Sequence, residues 1–224
     1  MSESTQSTIQ GVNSELEFDF EVDYFGSFKG RLELPLLLKG DSGTGKSTFL
    51  KCLAGLVKWK GDLSCCGVSF RSNFYRRIRQ RYIAYLPQEV LFAAETVRDD
   101  VKWFKKVLVG FDGKKFEQFM ERFKTLELVD KKWSELSGGE KKRISLCLML
   151  SLDRKIYLFD EPLTGLDEKA IDEFKKIRKE LFEAGKFYVL VSHIADREFD
   201  FEKVVRIDEI IFPKANTTKI EQSC

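Results

Sequence analysis

The feature that most constrains this chain is a glycine-rich stretch at residues 40–48, which reads GDSGTGKST. It fits the pattern G-x-x-x-x-G-K-[ST], in which glycines let backbone N–H groups point inward around an anion. An apolar run at residues 34–38 precedes it, and apolar residues at helical spacing follow it at residues 49–54. A strand before the loop and a helix after it argue against an ordinary glycine-rich turn. The stretch therefore predicts binding of a nucleoside triphosphate.

The residue types in this loop predict individual roles. Lys46 supplies a mobile cation for the outer phosphates, and the Ser47 hydroxyl suits Mg²⁺, which prefers oxygen ligands. The helix that begins here adds free N–H groups and the positive end of its dipole. The predicted nucleotide-binding residues of the loop are Gly40, Asp41, Ser42, Gly43, Thr44, Gly45, Lys46, Ser47 and Thr48.

Length and composition limit the remaining possibilities. The chain has 224 residues, of which 43% are hydrophobic and 33% charged, as expected for one large globular α/β domain. Its net charge of +2 is too small to suggest a nucleic-acid partner. No apolar run approaches the length of about 20 residues that a membrane span needs. Residues 1–15 are polar and lack signal-peptide features, which predicts a disordered lead-in to a cytoplasmic protein.

The order of patterns predicts the architecture. Strict alternation at residues 16–24 indicates a strand, and Gly26 and Gly30 are predicted to bracket the turn of an antiparallel hairpin. A second hairpin is expected at residues 61–70, and residues 91–152 read as an inserted α-helical lobe. The predicted fold class is α/β, with a phosphate-loop NTPase core, a mixed sheet and an N-terminal antiparallel β subdomain. One domain is expected over residues 16–212, followed by a polar tail at residues 213–224.

Five arginines between residues 71 and 81 allow two interpretations. They could form a nucleic-acid patch or the solvated face of a helix beside a phosphate site. The nearly neutral chain favours the second interpretation.

A buried strand at residues 155–159 ends in two carboxylates, as in the second half of phosphate-loop NTPases. Asp160 is predicted to hold Mg²⁺ opposite Ser47. Glu161 is placed to polarise a water molecule for attack on the γ-phosphate.

The stretch at residues 136–143, LSGGEKKR, resembles the signature of ATP-binding-cassette (ABC) ATPases. Further motifs of that family follow in family order. Gln88 resembles the Q-loop glutamine, residues 156–162 the Walker B strand, residues 163–167 the D-loop, and His193 the H-loop switch. The resemblance covers residues 16–212, and the motif combination is far more specific than a phosphate loop alone.

The resemblance implies a mechanism in which two cassettes close head to tail around two ATP molecules with Mg²⁺. Gln88 would contact Mg²⁺ and the attacking water, Glu161 would act as general base, and His193 would contact the γ-phosphate. Asp167 would tie the two sites together. The implied catalytic residues are Glu161, His193, Gln88 and Lys46. The implied metal ligands are Ser47, Gln88 and Asp160. The residues implied to cover the partner's ATP are Ser137, Gly138 and Gly139.

Two details of the resemblance leave questions. Tyr24, Phe25 and Phe28 all lie in the hairpin that would supply the aromatic stacked on adenine, and Phe25 is the preferred candidate. The signature has Glu140 where glutamine is more familiar, but Ser137 and Glu140 still fit a helix capping box, so activity is expected to survive.

The resemblance favours the ATP-binding subunit of an ABC transporter, peripheral on the inner face of the membrane through a polytopic permease subunit. A groove between Gln88 and the helical lobe, including Leu91 and Phe92, would receive that subunit. The alternative is a soluble ABC ATPase in cofactor or macromolecular assembly. A DNA-repair ATPase would separate the cassette halves by a long coiled coil, whereas only 91 positions separate Lys46 from Ser137. Whether the second cassette is identical, and what is transported, stay open.

Overall fold

The computed structural model describes residues 14–70, 81–89, 92–193, 201 and 203–213. Residues 1–13 of the predicted lead-in (residues 1–15), most of the tail, Leu91 and four of the five arginines lie outside these residues, whereas Glu15 already belongs to the first strand. The described part contains one antiparallel and one parallel sheet, each with five strands. This confirms the predicted α/β class, although the two kinds of strand pairing occur in separate sheets.

The antiparallel sheet has the order β10-β2-β1-β4-β5. Its strands are β1 (Glu15–Val22), β2 (Gly26–Glu33), β4 (Lys60–Cys65), β5 (Val68–Ser69) and β10 (Ile211–Pro213). Every second residue of β1 is buried, as its alternating sequence predicts. The predicted turn between Gly26 and Gly30 is wrong, because both glycines lie inside β2 and the turn falls at residues 23–25. Gly30 instead makes room for the Phe18 ring, which would lie 3.0 Å from an added Cβ.

The parallel sheet has the order β6-β7-β8-β3-β9. Its strands are β3 (Leu36–Lys39), β6 (Ile83–Leu86), β7 (Ile156–Asp160), β8 (Phe187–Val191) and β9 (Val204–Arg206). Both β7 and β8 are buried along their whole length, which explains their continuous apolar sequences. Since parallel strands end at the same edge, the segments that follow β3, β7 and β8 meet there.

Five helices complete the described fold: α1 (Lys46–Leu53), α2 (Val97–Val107), α3 (Gly113–Arg122), α4 (Gly138–Leu150) and α5 (Glu168–Glu183). The first of these, α1, packs in the apolar core between the two sheets. Its Phe49 ring lies 5.0 Å from that of Phe18 and 5.3 Å from that of Phe28. This packing fixes the loop between β3 and α1 at the carboxyl edge of the parallel sheet.

The helices α2, α3 and α4 fall within residues 91–152, where the sequence predicts a helical lobe. Their apolar side chains pack in one cluster with the parallel sheet and α5. Phe116 and Phe123 are buried in this cluster, whereas Leu126 is exposed. The buried carboxylate of Asp100 accepts hydrogen bonds from the backbone N–H groups of Ala93 and Ala94 and from Nε1 of Trp133. These bonds hold the segment after Gln88 against α2. In the described part of the chain, no helix is long and apolar enough to cross a membrane.

Candidate functional site

The glycine-rich loop joins β3 to α1, and its backbone requires glycine at two points. Gly40 and Gly45 have φ of 149° and 101°, a region that side chains rarely adopt. An added Cβ would also overlap the side chain of Ile207 at Gly40 and the ring of Phe25 at Gly45. The sequence can therefore wrap closely around an anion, as its pattern predicts.

Lys46 lies beneath this loop and is only 7% exposed. Its Nζ donates hydrogen bonds to the carbonyl oxygens of Gly40 and Asp41, at 2.7 and 2.6 Å. The Thr44 hydroxyl donates to the same Asp41 oxygen, at 2.7 Å. Gly40, Asp41 and Thr44 thus build the loop and hold a buried cation beneath it, which fits a site for phosphate oxygens.

A cavity of about 310 Å³ opens above the loop and brings most of the predicted residues together. The segments after β3, β6, β7 and β8 all contribute to it, as the order of the parallel sheet requires. It is lined by Ser42, Gly43, Gly45, Lys46, Ser47, Thr48, Gln88, Asp160, Glu161, Thr164, Val191 and His193. Thr164 is a residue that the sequence analysis did not single out.

The carboxylate of Asp160 is buried between two hydroxyl groups. Ser47 Oγ donates to its Oδ1 at 3.1 Å, and the Tyr85 hydroxyl donates to its Oδ2 at 3.1 Å. Burial and the charge of Asp160 raise the pKa of Tyr85, which therefore stays a neutral donor. The adjacent oxygens of Ser47 and Asp160 are the ligand type that Mg²⁺ prefers, so the donor set fits the predicted ion.

Glu161 is a non-glycine residue in the left-handed region, with φ of 50°. Such a conformation costs about 1–3 kcal/mol and persists only where neighbouring contacts hold it. Its N–H donates to the carbonyl of Val191 at 2.9 Å. Its carboxylate accepts from the backbone N–H of His193 at 3.4 Å, and its Oε1 lies 3.5 Å from Nε2 of that histidine. Glu161 and His193, the predicted base and switch, are therefore neighbours.

Gln88 follows β6 and lies between the cavity and a groove of about 690 Å³. The helical lobe forms the far wall of this groove, where Phe92, Phe104 and Leu108 contribute apolar surface. The groove lies where the sequence predicts one, with Phe92 in its lining and Leu91 outside the described residues.

The signature residues lie elsewhere. Ser137 and Gly138 are exposed, and neither is among the residues that line the cavity described above. The predicted capping box is formed, because the Ser137 N–H donates to Glu140 Oε2 at 2.7 Å and the Glu140 N–H donates to Ser137 Oγ at 3.3 Å. A Cβ at Gly139 would lie 2.7 Å from the carbonyl oxygen of Gly165. The N-terminus of α4 thus packs on the segment of residues 163–167 and leaves Gly138 open.

Two predicted residues have neighbours that refine their roles. Asp167 caps α5, since its Oδ1 accepts from the N–H of Ala170 at 2.8 Å, and its Oδ2 accepts from Arg143 at 3.0 Å. Phe25 lies against Gly45 beside the loop. Of the two alternative aromatics, Phe28 is fully buried and is therefore excluded, whereas Tyr24 is 72% exposed.

Comparison with known proteins identifies the family. The model of the family described as ABC transporter matches residues 32–164. An ABC transporter ATP-binding protein of Clostridium tetani is 32% identical over 203 residues, which cover 89% of this chain and 46% of that protein. One of Pyrococcus furiosus is 36% identical, over 72% of this chain and 64% of that protein. An energy-coupling factor transporter ATP-binding protein of Thermotoga maritima is 32% identical, over 75% of this chain and 65% of that protein. The chain thus spans between about half and two thirds of these relatives.

Solved structures agree on the fold. A dimeric bacterial ABC transporter cassette superimposes with a TM-score of 0.70 at 21% identity, covering 86% of this chain and 93% of that one. The ATP-binding subunit of an ABC transporter gives a TM-score of 0.69 at 23% identity, covering 85% of each chain. The fold and the cavity define a phosphate-loop ATPase cassette. This chain belongs to the ABC transporter family, as its motifs predict.

Proposed function

We propose that this chain is the ATP-binding and ATP-hydrolysing subunit of an ABC transporter, and that it energises solute transport through a separate membrane subunit. The observation that carries the proposal is the convergence of Lys46, Ser47, Asp160, Glu161 and His193 on one cavity. Relatives named as ATP-binding proteins of transporters support the transport role.

In this proposal the loop amides and Lys46 bind the β- and γ-phosphates. Ser47, Gln88 and Asp160 would hold Mg²⁺, which supplies positive charge to the phosphate oxygens. A water oxygen attacks the γ-phosphorus while the bond to the bridging β–γ oxygen breaks, and Glu161 accepts the proton of that water. His193 lies beside Glu161 and would donate a hydrogen bond to the γ-phosphate. The products are ADP and phosphate.

The open N-terminus of α4 supports a composite site. Ser137 and Gly138 are exposed, and there is open space around Gly138, so both are accessible to a second cassette. We infer that Ser137, Gly138 and Gly139 cover the ATP of that partner with a hydroxyl, backbone amides and a helix N-terminus. Asp167, close to this surface, would contact the partner. Adenine would stack on Phe25, or on Tyr24 in the alternative.

The groove beside Gln88 supports a second partner. Its lobe wall is apolar, and it is large enough for a segment of another polypeptide. We propose that a polytopic permease subunit docks there and holds the cassette at the inner face of the membrane.

The test is a mild-detergent pull-down of the tagged Glu161→Gln variant from its own cells, with mass spectrometry of the co-purifying chains. A polytopic membrane protein at near-stoichiometric level is expected. Leu108→Asp, which places a charge in the groove, should lose that protein. Val109→Asp should keep it, because the neighbouring Val109 is exposed and is not among the groove-lining residues. Soluble partners alone, with the bait absent from the membrane fraction, would instead favour an assembly ATPase.

A further inference from the structure

A buried lysine in α4 has no role in the mechanism above. Lys142 is 6% exposed, and its Nζ donates a hydrogen bond to the carbonyl oxygen of Gln88 at 3.0 Å, with that of Pro87 at 3.5 Å. Lysine is rarely this buried, because removing an ammonium group from water is costly. Here the compensating bonds go to the backbone of the segment that carries Gln88.

In the described residues, the segment that carries Gln88 lies just beyond the last paired residue of β6. The pairing between β6 and β7 ends at Leu86, opposite Phe159. Pro87 has no N–H to donate, so it cannot extend the ladder. The bonds from Lys142 begin at this point, and they fix the backbone from which the Gln88 side chain extends toward the cavity and the groove.

The position of Lys142 in α4 also links these bonds to the surface that is proposed to face a partner cassette. The same helix begins at the exposed Ser137 and Gly138, which are proposed to cover the ATP of a partner cassette. Lys142 lies just beyond the first turn, and the next residue, Arg143, pairs with Asp167. One rigid helix therefore joins the surface facing the partner's nucleotide to the loop facing the chain's own.

The surroundings of Lys142 also affect its charge. Burial lowers the pKa of Lys142, and the negative charges of Asp160 and Glu161 oppose that shift. Lys142 is therefore within electrostatic reach of both carboxylates.

We infer that Lys142 is a positioning residue for Gln88, through which α4 connects the partner-facing surface with the chain's own ATP site. The catalytic half of this inference rests on the proposed function, since Gln88 can affect hydrolysis only if this cavity hydrolyses ATP. The structural half does not, because the bonds from Lys142 go to the backbone carbonyl oxygens of residues 87 and 88 and involve no nucleotide atom.

The structural half is tested by amide hydrogen exchange on the nucleotide-free chain. Lys142→Met removes the ammonium and keeps an unbranched apolar chain of similar length, so the amides of Gln88 and Glu89 should exchange faster. Lys106→Met is the matched control, because Lys106 is an exposed lysine of the same lobe. Unchanged exchange at Gln88 and Glu89 in Lys142→Met would overturn the inference, whatever the chain hydrolyses.

The catalytic half is tested by steady-state kinetics and a double-mutant cycle. Lys142→Met should bind a fluorescent ATP analogue as the wild type does, lose roughly tenfold in kcat and need more Mg²⁺ for half-maximal rate. Lys142→Arg should have a kcat and a Mg²⁺ requirement between those of Lys142→Met and the wild type. In a Gln88→Ala background, Lys142→Met should cause no further loss, because it acts through Gln88. Losses that multiply across the two sites would overturn the inference.

Two further results are possible, and each has a defined interpretation. If Lys142→Met does not fold, the same cycle with Lys142→Arg decides, and its smaller loss must again vanish beside Gln88→Ala. If the wild-type chain binds ATP but releases no phosphate, the proposed function fails, while the exchange measurement still decides whether Lys142 positions Gln88.

Discussion

At the residue scale, the proposed hydrolysis depends on how Glu161 is held. Its left-handed backbone, the bond to Val191 and the contact with His193 direct a buried carboxylate into the cavity. Glutamine has nearly the same shape but cannot accept the proton of the attacking water.

Glu161→Gln is therefore expected to lower kcat by at least about a hundredfold while ATP binding survives. Phosphate release and nucleotide binding should be measured on the same preparation. Glu168→Gln, a nearby exposed carboxylate in the first turn of α5, is the control and should retain activity. Wild-type turnover in Glu161→Gln would show that another group acts as the base.

The cysteines allow a second prediction at this scale. The hydrogen bond with Cys65 and the charge of Lys155 lower the pKa of the half-buried Cys66 below its ordinary value of 9.0. Burial raises the pKa of Cys52 to about 12, and it also raises that of Cys147. Because the thiolate is the nucleophile, Cys66 should react first among the four cysteines that lie in the described residues.

Iodoacetamide at neutral pH, followed by peptide mass spectrometry, is expected to label Cys66 ahead of Cys52, Cys65 and Cys147. Since its pKa is lowered, the rate at Cys66 should rise with pH and reach half of its maximum below pH 9.0. Equal labelling of Cys147 would mean that α4 opens readily in solution.

At the element scale, two adjacent glycines in the first turn of α4 have different surroundings. One is expected to matter for stability and the other for function. A Cβ at Gly139 would meet the carbonyl oxygen of Gly165 at 2.7 Å, whereas a Cβ at Gly138 would meet open space. Gly139 faces the chain's own fold, and Gly138 faces outward.

Gly139→Ala should therefore lower the free energy of unfolding by about 1–3 kcal/mol. Gly138→Ala should fold at least as stably as the wild type, because alanine favours helix, yet it should lose hydrolysis that depends on a partner cassette. Urea titration and ATPase assays on both variants would check this. A destabilised Gly138→Ala would contradict the open position of that residue.

Several elements were predictable from sequence, and most of the predicted site residues meet at one cavity. Alternation located β1 and an apolar run located β7, because burial sets these patterns directly. The hairpin turn was misplaced, because Gly30 lies in β2, where the absence of a side chain makes room for the Phe18 ring. Tyr85, Thr164 and Lys142 had no predicted role. Tyr85 and Lys142 contact Asp160 and Gln88, which are distant in sequence, and no local pattern records such contacts. Thr164 lies in the predicted D-loop stretch and contacts Glu161, three residues earlier.

At the scale of the whole molecule, the proposed composite site means that one chain would provide only half of each site. Two copies should therefore associate when ATP is bound and hydrolysis is blocked. Sedimentation of Glu161→Gln is expected to show a dimer with Mg²⁺ and ATP and a monomer without nucleotide. Adding Lys46→Ala should abolish the shift, because the phosphates lose their cation. Unchanged sedimentation with and without ATP would indicate that the second cassette is a different chain.

The cavity and the groove have a common wall, formed by Ser47, Gln88 and Asp160. Any polypeptide in the groove that moves this wall alters the affinity for ATP. Thermodynamic reciprocity then requires ATP to alter the affinity for that polypeptide by the same factor. A coupling of about 1–3 kcal/mol would change either affinity by roughly 5- to 150-fold. Three side chains would thus suffice for a membrane partner to sense which nucleotide is bound, without touching it.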